Sequence, residues 1–211
     1  SLEGMGKPRQ LVMKDGTIGR PTRPRDADRL FLTFSRWDVY PDVWATDLAF
    51  RGEKQLTDGC PSRDEVRWGK AELVSWRSDD GTELKGYLVK PDGFDPNKKY
   101  PMMVYFYERS SQNVHRFVSP NTGTSPNAAY YVSNGYLWFV PDIVYADGYP
   151  GESCEKAVGS GVQHILSMGF VDRDAIGIAG HSWGGYQTAH LVTRTNLFAA
   201  AESGAPVVNM F

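Results

Sequence analysis

A glycine-rich hexapeptide constrains the fold of this chain more than any other feature. The segment Gly180–Gly185 reads Gly-His-Ser-Trp-Gly-Gly; it follows the short apolar run 176–179 and precedes 186–195, which has helical potential. Glycines on both sides of Ser182 suit a sharp, strained turn, because a Cβ atom would have no room there. The pattern predicts a strand, a tight turn with Ser182 at its tip, and a helix directly after it.

The composition is that of a folded globular chain and excludes several other classes. The 211 residues carry a net charge of −2 and 13% of them are aromatic, so no basic stripe indicates nucleic-acid binding. The longest apolar runs, such as 136–140, are too short to span a bilayer, and residues 1–5 lack the features of a signal peptide. Cys60 and Cys154 lack metal-binding spacing and predict one loop thiol and one helix thiol.

The periodicity of the sequence changes near residue 70. Residues 1–69 read as short β-strands, with candidates at 10–13, 29–34 and 43–48. From residue 70 onward, apolar strands alternate with helices, which predicts an α/β fold with a mostly parallel sheet and flanking helices. The sequence is therefore divided into a β-rich segment, 1–69, and an α/β segment, 70–211.

The elements expected in the α/β segment begin with a hairpin. Asp79-Asp80-Gly81 separates strand candidates at 71–77 and 84–89, which is a hairpin signal. Further strands are expected at 102–107, 136–140, 176–179 and near 198–202, with helices at 125–134, 152–168 and after the Ser182 turn.

Several motifs occur together here. Gly169-Phe-Val-Asp leads into the hexapeptide and Tyr186, and 98–104 reads Lys-Lys-Tyr-Pro-Met-Met-Val. These runs resemble the prolyl oligopeptidase family of serine peptidases, on its dipeptidyl-peptidase and acylaminoacyl-peptidase side. Residues 41–44, 55–57 and 77–82 are similar to the end of the family's β-propeller and the crossing into its catalytic domain. The resemblance implies an incomplete α/β-hydrolase fold preceded by the end of a β-propeller, and peptide-bond hydrolysis through an acyl-enzyme.

The resemblance also implies roles for single residues. Ser182 matches the nucleophile, and Trp183 matches the residue whose N–H donates to the oxyanion and whose ring lines the substrate pocket. Tyr107 matches a second oxyanion donor, although from physics alone it reads as an ordinary core aromatic. Val207 and Met210 fall where the substrate-binding pocket continues.

The sequence departs from the family pattern in two places. Tyr107 is usually followed by a Gly-Gly-Pro turn, and residues 108–111 read Glu-Arg-Ser-Ser instead. The family's Asp-x-Arg-Gly segment is replaced by 141–149, which reads Pro-Asp-Ile-Val-Tyr-Ala-Asp-Gly-Tyr. We expect a different loop beside the oxyanion hole, and a structural rather than catalytic role for Asp142.

The residues that would activate Ser182 are not evident in the sequence. A serine hydroxyl needs a base, and in this fold an Asp or Glu and then a His follow the nucleophile. After Ser182 the sequence contains no Asp, one Glu, which is Glu202, and one His, which is His190. The other histidines lie at or before the turn: His115, His164 and His181. We expect a fragment that lacks the triad Asp and His and is inactive by itself.

Two other functions stay open at this point. One is a different hydrolase on the same fold, such as an esterase or acyltransferase, and the other is a non-catalytic binding fragment. The propeller-like residues 29–69 favour the peptidase. A peptide substrate is expected, without a metal, an organic cofactor or a nucleic acid; a homo-oligomer, the cleavage mode and the compartment stay open, with a periplasmic or secreted setting suggested by the resemblance alone.

Overall fold

The computed structural model describes residues 7, 9–60 and 65–209. It divides the chain into two compact units. One runs to residue 61 and includes 115–117, and the other contains the remaining residues. Among the described residues, no helix combines the length and the hydropathy that a bilayer crossing requires.

The first unit contains a four-stranded antiparallel sheet. In chain order, and also in sheet order, the strands are β1 (Thr17–Ile18), β2 (Arg29–Arg36), β3 (Val39–Asp47) and β4 (Lys54–Gln55). Strand β2 contains the predicted candidate 29–34, and β3 contains residues 43–47 of the candidate 43–48. The candidate at 10–13 is wrong, because these residues lie outside the strands of the structure.

Pro41 and Asp42 lie inside β3, although their sequence reads as a turn. The pairing of β2 with β3 shifts register between Phe34 and Arg36, and a bulge of this kind accommodates a proline that cannot donate to the ladder. The buried Asp42 carboxylate accepts hydrogen bonds from Thr57 Oγ1 at 2.7 Å and from Gly59 N at 2.9 Å. Asp42 therefore fixes the segment that follows β4 instead of ending a strand.

The second unit is an α/β unit with a six-stranded mixed sheet. Its strands are β5 (Lys70–Arg77), β6 (Glu83–Lys90), β7 (Tyr100–Tyr105), β8 (Leu137–Pro141), β9 (Val171–His181) and β10 (Ala200–Gly204), in the sheet order β10-β9-β7-β8-β6-β5. Its helices are α1 (Ala128–Ser133), α2 (Pro150–Ser167) and α3 (Trp183–Val192). Within the group β7 to β10, each pair of neighbouring strands is parallel. The predicted hairpin β5–β6 is antiparallel and forms one edge of the sheet.

Helix α2 packs its apolar face tightly on the sheet. The predicted face of this helix is buried: Val158, Gly161, Val162 and Ile165. A Cβ atom on Gly161 would lie only 2.7 Å from Cζ2 of Trp76, and the Trp76 indole donates to Ser160 Oγ at 2.9 Å. The close approach explains why a glycine occupies the centre of this contact.

The sheet topology brings two distant parts of the chain to one edge. In the parallel pair β7–β9, Tyr105 lies opposite Ala179. The residues that leave the carboxyl ends of these strands, Tyr107 and Ser182, therefore emerge beside each other. Ligand sites of open α/β sheets form at this edge.

Candidate active site

Ser182 occupies a strained turn between β9 and α3. Its backbone has φ 58° and ψ −112°, in a region that non-glycine residues avoid at a cost of about 1–3 kcal/mol. Its N–H donates to Gly204 O at 2.8 Å, and its carbonyl accepts from Tyr186 N at 3.1 Å. Neighbouring strand and helix thus hold the serine in this conformation, at the position where the sequence predicted a turn.

The three glycines of the hexapeptide are enclosed by main-chain atoms. A Cβ atom on Gly180 would lie 2.3 Å from Gly184 O, and one on Gly185 would lie 2.5 Å from Gly204 O. For Gly184 the nearest atom would be Phe106 O, at 2.5 Å. Because the main chain cannot move aside as a side chain does, each of the three positions requires glycine.

The first turn of α3 lies beside the Tyr107 ring. A Cβ atom on Gly184 would be 3.7 Å from Cδ2 of Tyr107, whose side chain is partly exposed. The N–H groups of this first turn, beginning with Trp183, have no acceptor within the helix and carry the positive end of its dipole. An oxygen anion near Ser182 would therefore meet backbone donors and a phenol ring on the same side.

The Trp183 side chain is half-buried and held by aromatic neighbours. Its ring stacks on Tyr186 with the centroids 4.8 Å apart and 27° between the planes. Its indole also lies near the Tyr145 hydroxyl and lowers the pKa of that group. The side chain thus has a fixed orientation at the start of α3.

Tyr145 and Gln187 were not identified from the sequence. The Tyr145 hydroxyl donates to the main-chain oxygen of Tyr107 at 2.7 Å, and Gln187 Nε2 donates to the same oxygen at 3.1 Å. Gln187 Nε2 also donates to the Tyr145 hydroxyl. Burial raises the pKa of Tyr145 to about 12, although the Trp183 indole and the Gln187 side-chain amide act in the opposite direction. The only sequence signal was that Tyr145 lies in a segment that departs from the family pattern.

Asp142 anchors the loop that follows Tyr107. Its buried carboxylate accepts from Ser110 N at 2.5 Å, from Ser111 N at 2.7 Å and from Ser111 Oγ at 2.6 Å. Residues 108–111 are therefore folded against the start of the next loop without a glycine turn. This geometry agrees with the structural role expected from the sequence.

The segment after β10 passes the start of α3. A Cβ atom on Gly185 would lie 3.0 Å from Cα of Pro206, which places the residue before Val207 against this helix. The Val207 side chain is 39% exposed, so it is accessible to a ligand. Met210 lies outside the described residues.

The histidines of the second unit point away from Ser182. His190 lies in the last turn of α3, with Nε2 3.5 Å from Glu155 Oε2, and His164 stacks on Trp76. The His181 ring extends toward β10, since a Cβ atom on Gly204 would be 3.1 Å from its Nδ1. Neither His181 Nδ1 nor His190 Nε2 has a hydrogen-bond partner in the part of the chain that the structure describes. Among the described residues, no cluster of His, Cys, Asp and Glu side chains suited to a metal ion is present.

Comparisons with known proteins agree with this fold. The structure of Porphyromonas gingivalis dipeptidyl peptidase 4 matches with a TM-score of 0.70, at 23% identity over 97% of this chain and 31% of that chain. Such a match defines the class by fold: an α/β domain of the kind found in dipeptidyl peptidases.

The sequence comparisons agree with the motifs. The model of the prolyl oligopeptidase family matches residues 145–211, which include the Ser182 turn. Human dipeptidyl peptidase 8 is 29% identical over 79% of this chain, and dipeptidyl-peptidase 5 of Porphyromonas gingivalis is 26% identical over 82%. The resemblance to the prolyl oligopeptidase family that the motifs predicted is therefore confirmed by the match over residues 145–211. The chain spans 16–25% of the length of the curated relatives it matches.

Proposed function

We propose that this chain carries the nucleophile of a serine peptidase, and that Ser182 attacks a peptide carbonyl to form an acyl-enzyme. The observation that carries the proposal is the strained backbone of Ser182, with φ 58° between β9 and α3 and glycines closed in by main-chain atoms. A nucleophile elbow requires this geometry, because it lifts the hydroxyl clear of the sheet. The match of residues 145–211 to the model of a peptidase family supports the choice of reaction.

The proposed oxyanion hole has two donors. The Trp183 N–H begins α3, where the helix dipole favours negative charge, and the Tyr107 hydroxyl belongs to the ring beside that turn. Both would stabilise the tetrahedral intermediate after Ser182 attacks. Loss of one such donor generally lowers kcat by about a hundred- to thousandfold.

The substrate side chain is proposed to bind next to this hole. The Trp183 ring, fixed by its stack on Tyr186, would form one wall of the pocket, and Val207 and Met210 would continue it. The accessibility of Val207, and the passage of its segment beside α3, support this arrangement. The substrate is a peptide, and the reaction needs no metal or organic cofactor, because the chemistry is acyl transfer.

The base that takes the Ser182 proton is proposed to lie outside these 211 residues. His164 stacks on Trp76, and His190 lies in the last turn of α3. The His181 ring extends toward β10, and no Asp follows Ser182 in the sequence. The order nucleophile, carboxylate, histidine places the other triad members after the nucleophile. The full-length protein is therefore the form in which activity is expected.

Labelling of the full-length protein with a fluorophosphonate probe tests the nucleophile. We expect one phosphonyl adduct that Ser182→Ala abolishes, whereas Ser167→Ala, at an exposed serine that ends α2, leaves the adduct in place. Labelling that survives Ser182→Ala would overturn the proposal.

A comparison of substrates tests the reaction class. We expect Ser182-dependent cleavage of a peptidyl anilide substrate in addition to any cleavage of a p-nitrophenyl ester. Ester cleavage without peptide cleavage, across free and blocked amino termini, would favour an esterase on the same fold instead.

A further inference from the structure

A cluster of four polar groups lies behind the proposed oxyanion hole. The four groups are the main-chain carbonyl of Tyr107, the hydroxyl of Tyr145, the amide of Gln187 and the indole of Trp183, and we call them the tyrosine cluster. The Tyr145 hydroxyl donates to the Tyr107 carbonyl at 2.7 Å, accepts from Gln187 and lies near the Trp183 indole. Gln187 also donates to the Tyr107 carbonyl, at 3.1 Å.

The Tyr145 hydroxyl and the Gln187 amide both hydrogen-bond the Tyr107 carbonyl and also each other. A phenol has one proton to donate, and the Tyr107 carbonyl accepts it, while Gln187 donates to the same hydroxyl. The Gln187 amide is buried; its Nε2 donates to both partners, and its Oε1 has no hydrogen-bond partner among the described residues. The three bonds form a closed triangle, so rotation of either side chain would break at least one of them.

The tyrosine cluster joins three separate segments. Tyr107 follows β7, Tyr145 lies between β8 and α2, and Trp183 and Gln187 lie on α3. Two of these residues are the proposed oxyanion donors. The cluster holds the main chain that carries the Tyr107 phenol. It also includes the Trp183 indole, which belongs to the residue whose N–H is the other donor. Tyr145 itself need not touch the substrate.

We propose that Tyr145 is a positioning residue, whose hydroxyl fixes the Tyr107 main chain in the orientation that directs the Tyr107 oxyanion donor toward Ser182. The inference rests on the proposed function and assigns a role to a residue that neither the motif nor the family match singles out. Small displacements of catalytic groups lower rates strongly, by about a hundredfold for 1 Å.

Packing alone does not explain the tyrosine. Its ring contacts the hydrophobic core, and a phenylalanine would preserve that contact. The raised pKa of Tyr145, about 12, keeps its hydroxyl protonated throughout the pH range in which a peptidase is assayed. The hydroxyl is therefore a permanent donor to the Tyr107 carbonyl.

The test compares two tyrosine-to-phenylalanine variants of the full-length protein. For Tyr145→Phe we expect kcat on a peptide substrate to fall about ten- to a hundredfold with KM little changed, because the loss falls on the transition state. The matched control is Tyr149→Phe, at a 61% exposed tyrosine four residues further on, which should leave both parameters unchanged. Equal kcat and KM values for the two variants would overturn the proposal.

A double-mutant cycle separates positioning from general stability. If Tyr145 acts through Tyr107, then Tyr145→Phe should cost clearly less in a Tyr107→Phe background than in the parent protein, since the donor that it positions is already gone. Independent, multiplicative losses would overturn the proposal. If Tyr145→Phe fails to fold, Gln187→Met takes its place in the same cycle, with the same expectations.

The two proposals fail in different ways. Labelling that persists in Ser182→Ala removes the serine peptidase itself. Ser182-dependent turnover that Tyr145→Phe leaves at the level of Tyr149→Phe removes only the positioning role.

Discussion

At the scale of single residues, the glycines around Ser182 are the best explained. The sequence predicts a tight turn that leaves no space for Cβ atoms at these positions. The physical reason is that carbonyl oxygens lie 2.3–2.5 Å from the ideal Cβ positions of Gly180, Gly184 and Gly185. Such crowding is local, so a short sequence pattern is enough to predict it.

The substitution Gly180→Ala should damage both stability and labelling. The added methyl would lie 2.3 Å from Gly184 O, and forcing a carbon atom into a packed site costs about 1–3 kcal/mol of unfolding free energy. Thermal melting and fluorophosphonate labelling of the full-length protein should both decline.

A glycine in open space provides the control for this substitution. A Cβ atom on Gly159, within α2, meets nothing within 4 Å, and alanine in a helix gains about 0.5–1 kcal/mol over glycine. Gly159→Ala should therefore raise the melting temperature and leave labelling intact. Equal behaviour of the two variants would contradict the steric explanation.

Tyr145 and Gln187 show where prediction from the sequence stopped. Their bonds to Tyr107 join residues 38 and 80 positions apart in the chain. Side-chain hydrogen bonds between distant segments leave no periodicity, and a buried glutamine on a helix resembles any other polar residue. The fold had to be known before the tyrosine cluster could be recognised.

At the scale of elements, apolar periodicity predicted the second unit better than the first. Helix α2 was expected at 152–168 and spans Pro150–Ser167, and the strand expected at 176–179 is the end of the longer β9. In the first unit, Pro41 and Asp42 read as a turn but lie in β3, because a bulge and a buried carboxylate accommodate them. A turn prediction from residue type is wrong where tertiary contacts hold such residues inside a strand.

The turn of the β5–β6 hairpin should show a defined pH dependence. The Lys156 ammonium, followed by the Ser78 and Thr82 hydroxyls, lowers the pKa of Asp80 below its ordinary value of 3.8. A lowered folded-state pKa means that the stabilisation is present above 3.8 and is lost as the pH falls from there through the folded-state pKa. Asp80→Asn should thus lower the melting temperature at neutral pH.

The difference in melting temperature between the parent protein and Asp80→Asn should narrow as the pH is lowered toward about pH 3. In that range the parent begins to lose the interaction that the variant lacks. Thermal melts across this range measure the difference. The control is Asp79→Asn, at the exposed neighbouring residue, which should show a flat difference. A difference for Asp80→Asn that stays constant below 3.8 would contradict the assignment.

At the scale of the whole molecule, the α/β class and the resemblance to the prolyl oligopeptidase family were predictable, because the elements alternate and the hexapeptide is specific. The fold match to the Porphyromonas gingivalis enzyme covers 97% of this chain but 31% of that one. The sequence could not supply the cleavage mode, since that depends on the geometry around the bound peptide and not on the nucleophile.

The isolated 211-residue chain should not hydrolyse peptides at the rate of the full-length protein. If the base lies outside these residues, as proposed, only the slow turnover of an oxyanion hole without a triad is expected. Parallel assays of both forms on one peptide substrate measure the difference. Ser182-dependent turnover at equal rates would show that the base lies within these residues.

The crowding at the Ser182 turn also bears on how far such a sequence can diverge. The atoms that shape this corner belong to the backbone, which substitution leaves in place. A substitution at any of the three glycines would place a carbon atom against this backbone. Most other residues can differ while the fold is kept, as the 23% identity at a TM-score of 0.70 illustrates.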